Sequence, residues 1–172
     1  MNNLTGRTHR NLVVTTLTAL VFFSETMLFR TFFDVMAVVG IRPSALPPVF
    51  GLMLGPHGVF GCAIGLLVAD VITGEPLLGI ALGCVANLSF GILPYLMWNA
   101  FDELNKRTLL PIGLSSVENV IRYIALIFIN SIVNSVFVGS VMQIVGIGYI
   151  VQSSTIMLFL NNFVFCGYSV RI

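Results

Sequence analysis

The 172 residues are 57% hydrophobic and 9% charged, with a net charge of +1 and a mean hydropathy of +1.00. Soluble domains carry roughly 25% charged residues, and a chain of one domain's length cannot hide so much apolar surface in a water-soluble core. The composition therefore excludes a soluble globular protein and implies an integral membrane protein, while the near-zero charge gives no footing for nucleic acid or an acidic partner.

A spanning helix needs about 20 mostly apolar residues, and six segments approach that length. The expected fold is thus all-α, a single bundle of six transmembrane helices over residues 1–172. Residues 12–29 form the first segment. Arg7 and Arg10 precede it as in a signal peptide, but the apolar run continues without an A-x-A-like cleavage site, so a retained helix is expected. Thr15 and Ala19 form a small-xxx-small pair on it, and Glu25 interrupts its apolar run. Residues 43–54 are apolar but too short to span unless 32–40 contribute. Residues 58–72 are a third, somewhat short segment, whereas 77–98, 120–142 and 149–168 are full-length.

Glycine and proline crowd the middle of this pattern. The stretch 41–98 holds more than half of the glycines and six of the seven prolines, namely Pro43, Pro47, Pro48, Pro56, Pro76 and Pro94. Both residues weaken soluble helices but are frequent in membrane helices, where they allow close packing and interrupted ends. Three pairs have GxxxG spacing: Gly51/Gly55, Gly61/Gly65 and Gly79/Gly83. Each is read first as a packing face within the bundle and second as a contact for a partner membrane protein.

The linkers set the expected orientation. With six spans and a cytoplasmic N-terminus, six of the eight basic residues (Arg7, Arg10, Lys106, Arg107, Arg122 and Arg171) lie on the cytoplasmic side. Arg30 and Arg42 fall outside, near the acidic Asp34, Asp70 and Glu75. Ser115, with Glu118 three residues on, makes a capping box for the fifth helix, and Glu118 pairs with Arg122 at i,i+4. The longest polar connection is 99–111. An ATPase has no room among these spans, so any energy source must be another protein.

Candidate chemistry rests on polar residues at membrane depth. Asn87 lies midway along the fourth segment, Asn130 and Asn134 one turn apart on the fifth, and Asn161 and Asn162 midway along the sixth. An amide in hydrocarbon must find a hydrogen-bond partner, so all should face the bundle interior. They serve either as ties between helices or as contacts for a polar ligand. Gln143, Gln152, Ser153 and Ser154 could extend such a pocket outward. Glu25 could pair with Arg30 or Arg42, or meet a cationic group. Cys62, Cys84 and Cys166 are isolated in apolar sequence and lack metal-ligand or CxxC spacing; His9 and His57 also lack ligand neighbours. No nucleophile–base pair, zinc site or phosphate loop is present, so neither an enzyme nor a bound cofactor or metal is expected.

One stretch has a family likeness. Arg42-Pro43, Pro47-Pro48, Gly51-Leu52, Leu54-Gly55-Pro56, Gly58, Gly61, Gly65 and Asp70, followed by Asn87, Phe90-Gly91, Leu93-Pro94-Tyr95 and Trp98, resemble the second to fourth helices of substrate-binding S components of energy-coupling factor (ECF) transporters. The likeness covers about a third of the chain. It implies a small protein of the cytoplasmic membrane that captures a vitamin or similar micronutrient from outside, then docks on a transmembrane coupling protein driven by two ATPases. It also implies a pocket near Asn87, Asn130, Asn134 and Gln152 under a lid formed by 32–42. Two features depart from the family. Its alanine-xxx-alanine face on the first helix is Thr15/Ala19 here, and Leu66 stands where close relatives would have Asn. A scaffold or sensor that shares the fold without transport is the competing expectation.

Overall fold

The computed structural model describes residues 2–32, 46–105, 117–144, 159–160 and 163–164. Regular structure among the described residues is entirely helical: α1 (Asn2–Phe32), α2 (Leu46–Leu54), α3 (Pro56–Ile72), α4 (Leu77–Asn105) and α5 (Val117–Ile144). Three stretches, Thr8–Phe32, Leu77–Ala100 and Val117–Ser140, are long and apolar enough to cross a membrane. With 17 residues, α3 is about 25 Å long, and the 9 residues of α2 reach only about half of that. The expected sixth segment shows helix at 159–160 and 163–164; the rest of it lies outside the described residues, as do Ser115 and the segment 33–45.

Two helices are longer than their apolar cores. α1 runs on to Phe32, and α4 continues through Asn105, so the first part of the expected polar connection 99–111 is helix. Ala100, Glu103 and Leu104 are good helix formers, and a helix already nucleated in the apolar region needs no further apolar residues to propagate.

Two glycine turns set the order of the helices. Gly55 has φ 68°, the left-handed region, and Pro56 then starts α3 at the position where its missing N–H costs nothing. After α3, Gly74 has φ 75°. The Gly74 N–H donates to the Val71 carbonyl at 3.2 Å and the Glu75 N–H to that of Asp70 at 3.0 Å, which is a Schellman ending.

Contacts then give the register. Thr15 Oγ1 donates to the His57 carbonyl at 3.2 Å, while Arg30 reaches Asp70 and Thr73, so α1 and α3 run parallel. The Cys84 thiol meets the Ala63 carbonyl at 3.8 Å, which makes α3 and α4 antiparallel. α4 and α5 are also antiparallel: Phe90 meets Asn130, and Trp98 clusters with Tyr123. Successive helices alternate in direction. The Gly55 turn and the start of α1 therefore share one end of the bundle, and the Thr73–Pro76 turn shares the other with the end of α1.

Small residues bring the backbones together. A Cβ on Gly61 would overlap Thr18 Oγ1, and one on Gly65 would sit 2.5 Å from the Ala19 carbonyl oxygen. The Gly61/Gly65 pair and the Thr15/Ala19 pair are thus two halves of one interface, the close approach that GxxxG spacing permits. Gly51 abuts the Gly91 carbonyl, and a Cβ on Gly91 would lie 2.9 Å from the Pro47 carbonyl oxygen, so α2 meets α4 backbone to backbone. The other expected pairs differ. Gly55 makes the turn, and a Cβ at Gly79 would come no nearer than 3.9 Å to Pro76, so Gly79/Gly83 is no tight seam among the described residues.

The short α2 is a wedge between two apolar clusters. Leu46 and Phe50 pack against Phe22, Cys62 and Leu66 of α1 and α3. Val49 and Leu52 pack against Phe90, Trp98, Tyr123, Leu126 and Ile127 of α4 and α5. Pro47 and Pro48 are fully buried in its first turn, where prolines remove two N–H groups that would otherwise want partners. Phe128, Phe159 and Phe163 extend the bundle, with Phe159 and Phe163 stacked at 5.9 Å and both edge-on to Phe128.

The α1–α3 contact is open to test. Gly61→Val should lower the unfolding free energy by about 1–3 kcal/mol through overpacking, whereas Gly79→Val should be close to neutral. Equilibrium unfolding in mixed micelles measures both; equal effects would show that the two glycine pairs do not differ as described.

Candidate functional site

The site begins with a proline. Pro94 lies inside α4 and has no N–H, so the carbonyl of Phe90, four residues earlier, loses its helical donor. In an apolar interior such a carbonyl must be matched from elsewhere. Asn130 of α5 does this: its Nδ2 donates to the Phe90 carbonyl oxygen at 3.1 Å, with the Asn130 residue only 1% exposed. One amide thus repairs the break in α4 and ties α4 to α5.

The same bond orients what remains of Asn130. A carbonyl can only accept, so Nδ2 must face Phe90 and Oδ1 must face away. Oδ1 is buried with no hydrogen-bond partner among the described residues. Three more buried polar atoms of α4 and α5 are also unmatched among the described residues: Asn87 Nδ2, Ser131 Oγ and Asn134 Oδ1. Asn130 and Asn134 share a face of α5, being one turn apart. Asn87 lies one turn from Phe90 on α4, and the antiparallel register carries it to the level of Asn134. On α4, Asn87, Phe90, Gly91, Pro94 and Trp98 form one buried face. Gly91 on that face touches the start of α2, so the amides lie at the depth where the half-helix begins.

Ser131 and Ser135 show the contrast between matched and unmatched hydroxyls. Ser135 Oγ donates back to the Ile132 carbonyl at 3.0 Å, the usual local solution for a helical serine. Ser131, fully buried, makes no such bond. Sequence reasoning did not single it out; its only signal was a hydroxyl beside Asn130 in an otherwise apolar run.

Of the residues expected to form a site, Asn87 of α4 and Asn130 and Asn134 of α5 are buried. Gln152 and Asn161 lie outside the described residues, as does nearly all of the expected lid at 32–42. Glu25 belongs to a different region, on α1 between the buried Phe22 and Thr26. The second polar cluster is at the far end of α1. Arg30, whose side chain is 11% exposed, pairs with the 6% exposed Asp70, bonds Thr73 and lies 3.7 Å from Glu75. The expected proximity of Arg30 to Asp70 and Glu75 is realised as a clamp from α1 onto the α3–α4 turn. The clamp matches buried opposite charges and leaves the guanidinium occupied. Among the described residues, no group of three or more His, Cys, Asp or Glu side chains is placed to hold a metal.

No protein-family model matches this chain, and neither does any curated protein or solved structure.

The repair of the α4 break gives a specific coupling. Asn130→Leu should cost about 1–2 kcal/mol, the scale of interhelical hydrogen bonds in membranes. In a Pro94→Ala background, residue 94 supplies its own N–H to Phe90, and the cost of Asn130→Leu should fall to a few tenths. A double-mutant cycle by thermal or denaturant unfolding reads this coupling. Additive effects would mean that the bond does not substitute for the missing N–H.

Proposed function

We propose that this chain is the membrane-embedded substrate-capture component of an ECF-type importer, binding a small micronutrient such as a vitamin from outside. The reading takes the full bundle as six spans with both termini cytoplasmic, in the cell membrane. Its expected partners are a transmembrane coupling protein and ATPase subunits, with surrounding lipid as its solvent. The observation that carries it is the group of buried amides at the start of the half-helix α2, whose polar atoms are only partly matched. Unmatched polar groups at membrane depth are costly and mark solute paths, and interrupted helices line transporter sites. Asn87, Asn130 and Asn134 would contact the solute, Gln152 and Asn161 would complete its surroundings, and Glu25 would serve nearer the entrance.

Two observations favour the second reading, a membrane scaffold or sensor without transport. The Asn130 bond to Phe90 is a complete structural tie in itself. The Thr15/Ala19 face, where an S component would offer alanines for docking, is packed against Gly61 and Gly65 inside the bundle.

Native mass spectrometry of the purified chain, with thermal-shift screening against vitamins and nucleobases, separates the two. Capture predicts a co-purified or stabilising solute, together with cellular uptake that requires ATPase partners. A chain that binds nothing across that panel and supports no uptake would leave the scaffold reading.

A further inference from the structure

We infer that the polar cluster of α4 and α5 recognises a neutral solute through a cis-amide edge, an N–H beside a C=O, as in lactams, ureides and pyrimidinones. The inference rests on the capture reading above and names the chemistry of its ligand. Four buried polar atoms make the argument: Asn130 Oδ1, Asn134 Oδ1, Ser131 Oγ and Asn87 Nδ2 have no hydrogen-bond partner among the described residues, on residues that are 1%, 9%, 0% and 9% exposed.

The first constraint is the fixed direction of Asn130. Its Nδ2 spends one N–H on Phe90, so the direction of the amide is fixed and the atom left unmatched among the described residues is the acceptor Oδ1. A ligand at this position must bring an N–H or O–H donor. One turn along α5, the Asn134 side chain carries both an acceptor and a donor in one plane, with its Oδ1 unmatched among the described residues. Planar amides of this kind pair with a neighbouring donor and acceptor, as when an Asn reads the edge of a base. Ser131 completes the set with a hydroxyl free to rotate as donor or acceptor.

The second constraint is charge. The four residues are uncharged, and the nearest buried ion pair, Arg30 with Asp70, is self-matched at the end of the bundle. A full charge brought to the amide level would face only neutral dipoles in apolar surroundings, which is costly. The apolar neighbours of the seam, Phe90, Leu126 and Ile127 among them, suit the faces of a flat, uncharged ring. Acceptor first, mixed amide next and no countercharge together describe a neutral cyclic amide.

The test uses the full chain in lipid nanodiscs with uracil, 2-piperidone and 2-imidazolidinone as probes. Their N-methylated counterparts, which keep shape and carbonyls but lose the donors, serve as comparison. At least one N–H probe should bind, by thermal shift and equilibrium dialysis, with N-methylation weakening it about tenfold or more, since a site built around hydrogen bonds discriminates strongly against a missing donor. Asn134→Leu and, separately, Ser131→Ala should each weaken that binding, while the unliganded thermal midpoint of Asn134→Leu should hold or rise because an unmatched buried atom is removed. Equal binding of the methylated probes, binding undiminished in both variants, or stabilisation by charged solutes alone would overturn the cyclic-amide inference and leave capture standing. If no probe, no charged or neutral vitamin and no co-purified solute binds, both readings fall.

Discussion

The arrangement of α4 and α5 depends on one missing hydrogen. A membrane helix must satisfy its own backbone, and Pro94 prevents α4 from doing so at Phe90. The repair comes from Asn130, a residue of another helix, so α5 is held to α4 at one register. Between these helices the apolar cluster of Phe90, Trp98, Tyr123, Leu126 and Ile127 supplies packing but little direction. In lipid, apolar contact alone distinguishes poorly between registers, because the tails are as apolar as the side chains. The single amide bond supplies the specificity that packing lacks.

The other half of the bundle uses shape. Gly61 and Gly65 admit Thr18 and the backbone at Ala19, and the clamp of Arg30 on Asp70 and Thr73 ties the far end of the same helix pair. Between the two halves, α2 turns one side to each cluster. Its shortness is what makes this work. The backbones approach at Pro47 and Gly51 against Gly91, and the chain turns at Gly55, beside the Tyr95 ring, before larger side chains could hold the two helices apart.

How much of this could be read from sequence depends on whether the cause is local. Apolar composition and segment length gave the all-helical class, and the apolar run placed the third helix from residue 58, two residues after its Pro56 start. The Gly61/Gly65 face was legible because both glycines lie on one helix at the right spacing. The Gly51–Gly91 contact was not, since it joins single glycines on different helices and leaves no periodicity in either. The end of α4 was missed because Asp102 and Glu103 look like a loop by polarity, although a helix leaving an apolar layer readily carries such residues. The burial of the three amides was legible, but the bond that Asn130 makes needed the register between α4 and α5.

That bond is the more instructive result. Asn130 and Asn134 are the same residue type, one turn apart on one buried face, and sequence cannot tell them apart. What separates them is the neighbour across the seam: Asn130 stands opposite the one carbonyl of α4 that Pro94 has stripped of its donor, and Asn134 does not. With a regular α4, the Phe90 carbonyl would already be bonded, and the Asn130 amide would be free to rotate. The proline break therefore does two things at once. It joins two helices, and it fixes the direction of the Asn130 amide so that Oδ1 is the unmatched end, on the same helix as Asn134 Oδ1 and Ser131 Oγ, which also have no partner among the described residues. A site for a neutral polar solute needs such pre-set groups, because orienting them on binding would cost the affinity that few hydrogen bonds can return. On the reading proposed here, the defect in α4 and the polarity of α5 are one device, and neither would serve without the other.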